Sequence, residues 1–258
     1  MDRDPILSIC TTNYNCAHAL SEHLASVYRA LQAIDFEYIV VDNRSRDHSV
    51  QTLNDWASNH PNMTVMSRRC TMGEGRQLAF ARSRGQFVAV LDTDVIYWDI
   101  LRRFIDRYLD GYSRYSVQAL YCGIFPREHW LRVGGRRSLN TNEDVDMWIR
   151  LWRLGVMKWY PIPLGQNMKE LTALGSSDYL SRRYSRAERI LRLTRREWDL
   201  IKTRPLQKID LGKTIEANIV DLGLGMLLAP WPQDRVALST ARHLASFVRD
   251  LRDAISHA

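Results

Sequence analysis

The sequence predicts an α/β fold, with a mostly parallel central sheet flanked by helices and a helical, basic C-terminal extension. Apolar, β-branched runs of strand length recur along the first half of the chain and alternate with amphipathic helical segments. The runs are apolar at nearly every position. Strands of this kind are typical of parallel sheets that helices cover on both faces.

Each predicted element follows from a local pattern. The strands are apolar runs that end at polar loops, at residues 6–12, 38–41, 63–66, 87–91 and 117–125. The helices have apolar residues three or four positions apart, and we expect Ser21 and Asp47 to cap the first two. The second helix ends near Asn59, and four more are predicted at residues 75–84, 98–109, 128–132 and 144–154.

Composition and charge place broad limits on function. The chain has 258 residues, of which 45% are hydrophobic and 25% charged, as in an ordinary globular enzyme. The formal net charge of +7 favours a phosphate-rich partner, which can be a nucleotide, a nucleic acid or an anionic membrane. The four cysteines lack the CxxC spacing of a zinc or redox motif, so we expect reduced thiols.

The pattern changes near Gly165, which predicts two regions. Residues 1–165 form the α/β domain, and residues 166–258 form a mainly helical extension packed on it. Basic residues of the extension recur at near-helical spacing, at Arg182, Arg186, Arg189 and Arg196. Such a helix either faces solvent or lies on an anionic membrane. The N-terminus lacks the order of a signal peptide, which predicts a cytoplasmic protein, with peripheral contact at the inner face of the membrane as a hypothesis.

The most informative motif is Asp92-Thr93-Asp94, directly after the predicted strand 87–91. Residues two apart in extended backbone point to the same side, so both carboxylates can face one site. Hard carboxylate oxygens suit Mg²⁺ or Mn²⁺, which bind such sites together with water and substrate phosphates. A solvated turn or helix cap would use the same residues, and the position at a strand end favours the metal site.

Further polar residues are predicted at the same edge of the sheet. Asp42 follows the strand 38–41, where a carboxylate can accept hydrogen bonds from a ribose or base, or begin a turn. Arg76 follows Gly73 and Gly75, which would let the backbone approach a ligand, and its guanidinium can bind a phosphate. The polar clusters that follow the strands, at residues 13–15, 42–45 and 92–94, should converge on one cleft beyond the carboxyl ends of the strands.

Glu143 and Asp144 begin the last predicted helix. Acidic residues in a first turn stabilise a helix through its dipole. A carboxylate at the rim of a cleft can also act as a general base toward an acceptor hydroxyl. Both interpretations stay open on this segment alone.

Several enzyme classes lack their motifs in this chain. No GxxxxGK[ST] loop is present, Leu78 stands where the third glycine of a dinucleotide fingerprint would be, and GxSxG is absent. These absences argue against a P-loop hydrolase, a Rossmann dehydrogenase and a covalent hydrolase.

Taken in order, five segments resemble the family 2 glycosyltransferases of GT-A fold. They are ILSICTTNYN, YIVVDNRSRDHS, GRQLAFARSRGQFVAVLDTD, the pair Gly134-Gly135 and NEDVDMWIRLWRLG, and together they span roughly residues 5–165. The resemblance implies an inverting hexosyltransferase that moves a sugar from a UDP- or GDP-linked donor to an acceptor hydroxyl. The acceptor would be a glycan or a lipid-linked molecule, and the cofactor Mg²⁺ or Mn²⁺.

The resemblance also implies roles for the donor-site residues. Thr12 and Asn15 would line the nucleotide site, and Asp42 would contact the base. Arg76 would lie near the diphosphate, and Asp92 near the ribose and the metal.

Two further parts of the site follow from the same resemblance. Asp94 would be the main metal ligand. Glu143-Asp144 matches the Glu-Asp pair of the family, with Asp144 as the catalytic base. Many relatives have a histidine after the last core strand, where Gln166, Asn167 and Lys169 stand in this chain.

Three alternatives remain at this point. A nucleic-acid-binding protein would explain the positive charge, although the aromatic residues form no recognised RNA-binding motif and no nucleic-acid partner is expected. A sugar-phosphate nucleotidyltransferase would share the fold class, but its glycine-rich, basic first loop is missing after residues 6–12. A catalytically inactive, GT-A-like nucleotide-binding protein would retain the same motifs.

Overall fold

The computed structural model describes residues 4–140 and 143–168. The strands of its main sheet are β1 (Leu7–Asn13), β2 (Phe36–Asp42), β3 (Met63–Ser67), β4 (Phe87–Leu91), β6 (Ser116–Leu120), β7 (Cys122–Pro126) and β8 (Met157–Pro163). This seven-stranded sheet has the order β3-β2-β1-β4-β7-β6-β8, and β7 runs antiparallel to its two neighbours. β5 (Val95–Tyr97) and β9 (Gly165–Asn167) form a separate antiparallel pair. The mostly parallel sheet predicted from the sequence is confirmed.

Helices lie on both faces of this sheet. They are α1 (Ala17–Ala30), α2 (Ser49–Asn59), α3 (Met72–Arg82), α4 (Ile100–Arg107), α5 (Arg127–Arg132) and α6 (Glu143–Arg153), and one π-helical turn, Tyr108–Tyr112, follows α4. No helix in the described part of the chain is long and apolar enough to cross a membrane.

Two apolar layers hold the helices to the sheet. Alternate strand residues point to opposite faces, so Ile9 of β1 lies in the layer that contains Leu24 of α1. Val90 of β4 lies in the opposite layer, together with Phe80 of α3 and Trp148 of α6. Burial on both faces explains why these strands are apolar at nearly every position.

The first helix begins four residues before the predicted cap. Ser21 lies inside α1 and is exposed, and the residue preceding the helix, Cys16, makes no side-chain cap. The Asp47 carboxylate instead accepts the N–H groups of Ala17 and Ser49, both at 3.0 Å. Asp47 thus bonds to the start of α2, where it was predicted, and also to the start of α1. The contact with α1 is a long-range one that no local pattern reveals.

The predicted strand 117–125 is a hairpin of two strands, β6 and β7. The chain reverses at Tyr121, whose φ of +68° lies in the left-handed region that non-glycine residues rarely adopt. The surrounding residues are apolar and lack the Asn-Gly or Asp-Gly signature of a tight hairpin. The turn was therefore missed.

β8 and β9 were not predicted. The boundary expected between residues 165 and 166 falls inside β9, which pairs with β5 next to the Asp92-Thr93-Asp94 motif. The arginines of the predicted C-terminal extension lie outside the described residues.

Candidate active site

The Asp92-Thr93-Asp94 motif follows β4 without interruption, as the sequence predicted. The Asp92 side chain is 38% exposed, whereas Asp94 is buried at 4%. The main-chain oxygen of Asp94 accepts the N–H of Met168 at 2.8 Å, so the residue that follows β9 is bonded to the end of the motif. The end of β4 is thus followed by one accessible residue, Asp92, and one buried residue, Asp94, two positions apart.

Arg76 connects this motif to the start of α6. Its Nη2 donates to Asp92 at 2.8 Å, and its Nη1 donates to Asp144 at 3.0 Å and to Glu143. The arginine is buried, with 4% exposure. Three carboxylates from two distant segments of the chain, Asp92 and the adjacent pair Glu143-Asp144, therefore surround one guanidinium.

A second buried arginine, Arg136, also contacts the acidic pair. Its Nη1 pairs with Asp144 and lies 3.8 Å from the Glu143 carboxylate. Its guanidinium carbon lies 5.5 Å from the ring centre of Trp130, within cation–π range. Its main-chain N–H donates to Gln77 at 2.9 Å. Arg136 was not predicted as a site residue.

The two acidic residues of α6 differ in exposure and in proton affinity. Glu143 is 3% exposed, and the Asp144 side chain is 34% exposed. Burial and the neighbouring Asp144 charge raise the pKa of Glu143 against the opposing effect of Arg76 and Arg136. Burial would also raise the pKa of Asp144, but the charges of Arg136 and Arg76 outweigh it and lower that pKa. Asp144 is therefore the ionised carboxylate that a ligand in the cleft can reach.

The end of β2 carries the predicted base-binding residue. Asp42 is fully buried, and its carboxylate accepts Asn13 Nδ2 at 2.8 Å, the Ser45 N–H at 2.8 Å and the Ser45 hydroxyl at 2.5 Å. Asn15, with φ +49°, donates its N–H to Ser45 and accepts from the Arg46 N–H. These bonds join the loop after β1 to the loop after β2. We call this joined segment, residues 13–15 and 42–46, the rim.

The glycines before Arg76 serve protein packing. A Cβ on Gly75 would lie 2.1 Å from the Thr12 side chain, and one on Gly73 would lie 2.0 Å from the Arg137 carbonyl oxygen. The expected close approach to a ligand is therefore an approach between segments of the chain itself. The lack of a side chain at Gly75 lets α3 lie close to Thr12 of β1.

The oxygen ligands at the end of β4 fit a hard divalent cation. Asp92 and Asp94 supply carboxylates two residues apart, and such a cation commonly takes its remaining ligands from water and substrate phosphates. Among the described residues no group of three acidic, histidine or cysteine side chains is close enough to hold a metal unaided. A cation here would therefore bind together with a phosphate ligand.

More than half of the chain matches one known protein family. The profile described as "Glycosyl transferase family 2" matches residues 8–150, more than half of the chain. The chain belongs to glycosyltransferase family 2. No curated protein sequence matches it significantly.

Solved structures of other glycosyltransferases share this fold. The mannosyltransferase PcManGT from Pyrobaculum calidifontis, in complex with GDP-Man and Mn²⁺, aligns with a TM-score of 0.56 and 17% identity, over 99% of this chain and 85% of its own. S. aureus TarS 1–349 aligns with a TM-score of 0.51 and 16% identity, over 62% of this chain and 59% of its own. The same TarS fragment is also known in complex with UDP-GlcNAc, with a TM-score of 0.51, 16% identity, and coverage of 63% and 60%.

In this glycosyltransferase, the neighbouring strands β1, β2 and β4 bring Thr12, Asp42 and Asp92 to one edge of the sheet, at the carboxyl ends of the strands. Arg76, Asp92, Glu143 and Asp144 form one contact network. Asp42 and Asn15 belong to the neighbouring rim network. Gln166 and Asn167 lie on β9 beside β5, whereas Lys169 lies outside the described residues.

Proposed function

We propose that this family 2 glycosyltransferase is an inverting hexosyltransferase. It transfers a sugar from a UDP- or GDP-linked donor to a hydroxyl of a glycan or a lipid-linked acceptor, and it requires Mg²⁺ or Mn²⁺. The observation that carries the proposal is the bridge that Arg76 makes between Asp92 and Asp144. One guanidinium joins the carboxylate proposed for the donor to the carboxylate proposed for the acceptor.

The donor side is assigned to the ends of β1, β2 and β4. Asp94 is the proposed main metal ligand, with Asp92 contributing to the metal and the ribose. A divalent cation bound there would stabilise the negative charge that develops on the departing nucleotide diphosphate. Arg76 adds a positive charge at the same place, which suits a diphosphate.

The nucleotide itself is assigned to the rim beside this cation. Thr12 and Asn15 line the proposed nucleotide site. Asp42 supports binding of the base indirectly, because it orders the loop that contacts the base. Because the Asp42 carboxylate is buried and bonded to Asn13 and Ser45, its contribution is to fix the rim in one conformation. A rim fixed in advance loses less entropy when it binds a ligand.

The acceptor side is assigned to Asp144. Its partly exposed carboxylate accepts the proton of the acceptor hydroxyl as that oxygen bonds to the anomeric carbon of the sugar. The bond between this carbon and the diphosphate oxygen breaks in the same displacement, and the electron pair leaves with the nucleotide diphosphate. Glu143 is too buried to meet an acceptor, so its role is to hold Arg76.

Thermal melting with a panel of UDP- and GDP-linked sugars and Mn²⁺ tests the donor site. A ligand at about 100 times its Kd adds about 2.7 kcal/mol of stability, which raises Tm by several degrees. Asp94→Ala should remove the metal-dependent part of this increase. The matched control is Asp99→Ala, at an exposed position where no side-chain cap is lost.

The assignment fails if no nucleotide sugar gives a metal-dependent increase, or if Asp94→Ala responds like the wild type. Transfer is measured in the same preparations as release of UDP or GDP with and without glycan acceptors. Inversion is checked by comparing the anomeric configuration of the product with that of the donor.

A lipid-linked acceptor would place the enzyme at a membrane surface. The positive net charge supports this part of the proposal. Co-sedimentation with vesicles that contain anionic lipid tests it, and neutral vesicles are the control. Equal binding to both, or binding to neither, would argue for a glycan acceptor in solution.

A further inference from the structure

Two buried arginines contact the carboxylate of Asp144, but they do not have the same partners. Arg76 divides its hydrogen bonds among Asp92, Glu143 and Asp144. Arg136 faces only the acidic pair among the described carboxylates, with Asp144 as its hydrogen-bond partner. Arg76 is therefore shared between the donor and acceptor sides, whereas Arg136 is dedicated to the acceptor side.

The position of Arg136 is fixed by contacts that a donor would leave in place. Its guanidinium lies over Trp130, and its main-chain N–H donates to Gln77. The Gln77 oxygen also accepts the indole N–H of Trp130 at 2.9 Å. Gly135, at φ +73°, precedes it, and a Cβ there would lie 2.2 Å from the Gln77 side chain. The turn at Gly135, the Trp130 ring and the Gln77 side chain thus hold Arg136 in place.

A donor bound beside Asp92 would compete for Arg76, because phosphate oxygens accept from a guanidinium at least as well as a carboxylate does. Asp144 would then lose one of its two cationic partners. The Asp144 side chain is 34% exposed, so without a second partner it could rotate toward solvent. Arg136 is the remaining contact that limits this rotation.

We propose that Arg136 is the positioning residue of the acceptor side: it holds the Asp144 carboxylate in the orientation that receives the acceptor proton while Arg76 binds the donor diphosphate. This proposal rests on the function proposed above. Misorientation of a reacting group by about 1 Å can reduce a rate by roughly 100-fold. A dedicated arginine therefore has a direct effect on turnover and little effect on donor binding.

Arg136→Gln tests this by separating kcat from donor affinity. The expected result is a decrease of kcat by about 30- to 100-fold, with the donor Kd in the presence of Mn²⁺ changed less than about threefold. Arg136→Lys keeps the charge without the planar fork, and it should recover part of the lost kcat. The matched control is Arg137→Gln, in the same loop, which removes a partner of buried Asp146 and should lower stability with a much smaller decrease of kcat than Arg136→Gln.

The proposal is overturned if Arg136→Gln keeps the wild-type kcat, or if it weakens donor binding as much as it lowers kcat. If Arg136→Gln does not fold, Arg136→Lys decides, with an expected decrease of kcat of about tenfold at unchanged donor Kd. An inactive wild type would contradict the proposed function itself. An active wild type with fully active Arg136 variants would contradict only the positioning role.

Discussion

The main-chain N–H of Asp92 donates to the hydroxyl oxygen of Tyr97 over 3.1 Å. The same hydroxyl donates to the carbonyl oxygen of Tyr121 over 2.5 Å. Tyr97 is 1% exposed, and burial raises the pKa of its hydroxyl well above the ordinary value, so it keeps its proton at working pH. The proposed donor-side carboxylate is thus tied to the turn between β6 and β7.

Tyr97→Phe should lower both stability and donor affinity. The substitution removes a partner from the Asp92 N–H and from the Tyr121 carbonyl, at a cost of about 1–3 kcal/mol in the free energy of unfolding. It also frees the backbone of Asp92, so the donor Kd measured with Mn²⁺ should increase. Urea unfolding and donor titration measure the two effects.

Tyr108→Phe is the control for this experiment. Its hydroxyl donates to the Tyr115 carbonyl at 3.1 Å, on a fully buried side chain away from the cleft. It should destabilise the protein without changing the donor Kd. Equal changes of donor Kd in both variants would show that Tyr97 affects binding only through stability.

Asp144→Asn should retain donor binding and lose transfer. The amide keeps the shape of the side chain but is too weak a base to take the acceptor proton, and removal of a general base typically costs about 10²- to 10⁴-fold. The measurement is kcat for transfer together with the donor Kd. Full transfer activity in Asp144→Asn would show that another group is the base.

Glu143→Gln separates the two acidic residues. Glu143 is buried and contacts Arg76 and Arg136, so its replacement should disturb the placement of the arginines more than proton transfer. We expect weaker donor binding and a smaller loss of kcat than in Asp144→Asn. The reverse order of the two kcat losses would exchange the roles assigned to them.

The elements that follow from local sequence pattern were predicted well. The strand 87–91 and the carboxylates after it were placed correctly, because an apolar run that ends at a charged motif marks a strand end without reference to the rest of the fold. The start of α3 was predicted three residues late. Thr71 and Glu74 form a capping box there, and their T-x-x-E spacing was visible in the sequence.

The remaining features depend on contacts between distant segments. Arg136 is one of many arginines in a basic chain, and only the fold brings it to Asp144 and over Trp130. The contact of Asp92 with Tyr97 depends on the β5 strand, which is too short to give a pattern. The sequence therefore predicted the acidic residues and Arg76 as site residues, but not Arg136 and Tyr97, which also hold these acidic residues.

Asp146→Asn should destabilise the protein strongly, although Asp146 has no proposed part in the chemistry. Its fully buried carboxylate pairs with Arg137 and with Arg150, the latter at 2.6 Å, and so ties α6 to the loop that carries Arg136. Loss of one partner from a buried ion pair costs about 3–5 kcal/mol, because the remaining charges lose their compensation. Urea unfolding measures this loss.

The exposed pair of Arg102 and Asp106 provides the comparison, with side chains 36% and 48% exposed at 2.8 Å. Asp106→Asn should cost only about 0.3–0.5 kcal/mol, as is usual for such helix pairs. Similar losses in Asp146→Asn and Asp106→Asn would mean that the buried network contributes no more than a surface pair.

Below neutral pH, His23 should make stability depend on pH. The ring is fully buried on α1, where Nδ1–H donates to the Val95 carbonyl and Nε2 accepts the Tyr38 hydroxyl, both at 2.8 Å. Burial lowers the pKa of His23 from 6.5 to about 4, against the opposing hydrogen bond to Val95. The folded state therefore binds the proton more weakly than the unfolded state does.

The sign of the effect follows from this difference in proton binding. Between the two pKa values the unfolded chain holds the extra proton, so stability is complete above about pH 6.5 and decreases as the pH falls toward 4. Across this interval the free energy of unfolding should decrease by roughly 3 kcal/mol. His23→Gln can keep one donor and one acceptor but does not titrate, so it should lack this part of the pH dependence. Urea unfolding of both proteins at pH 7 and pH 4.5 measures it, and parallel losses of stability in the two proteins would contradict the role assigned to His23.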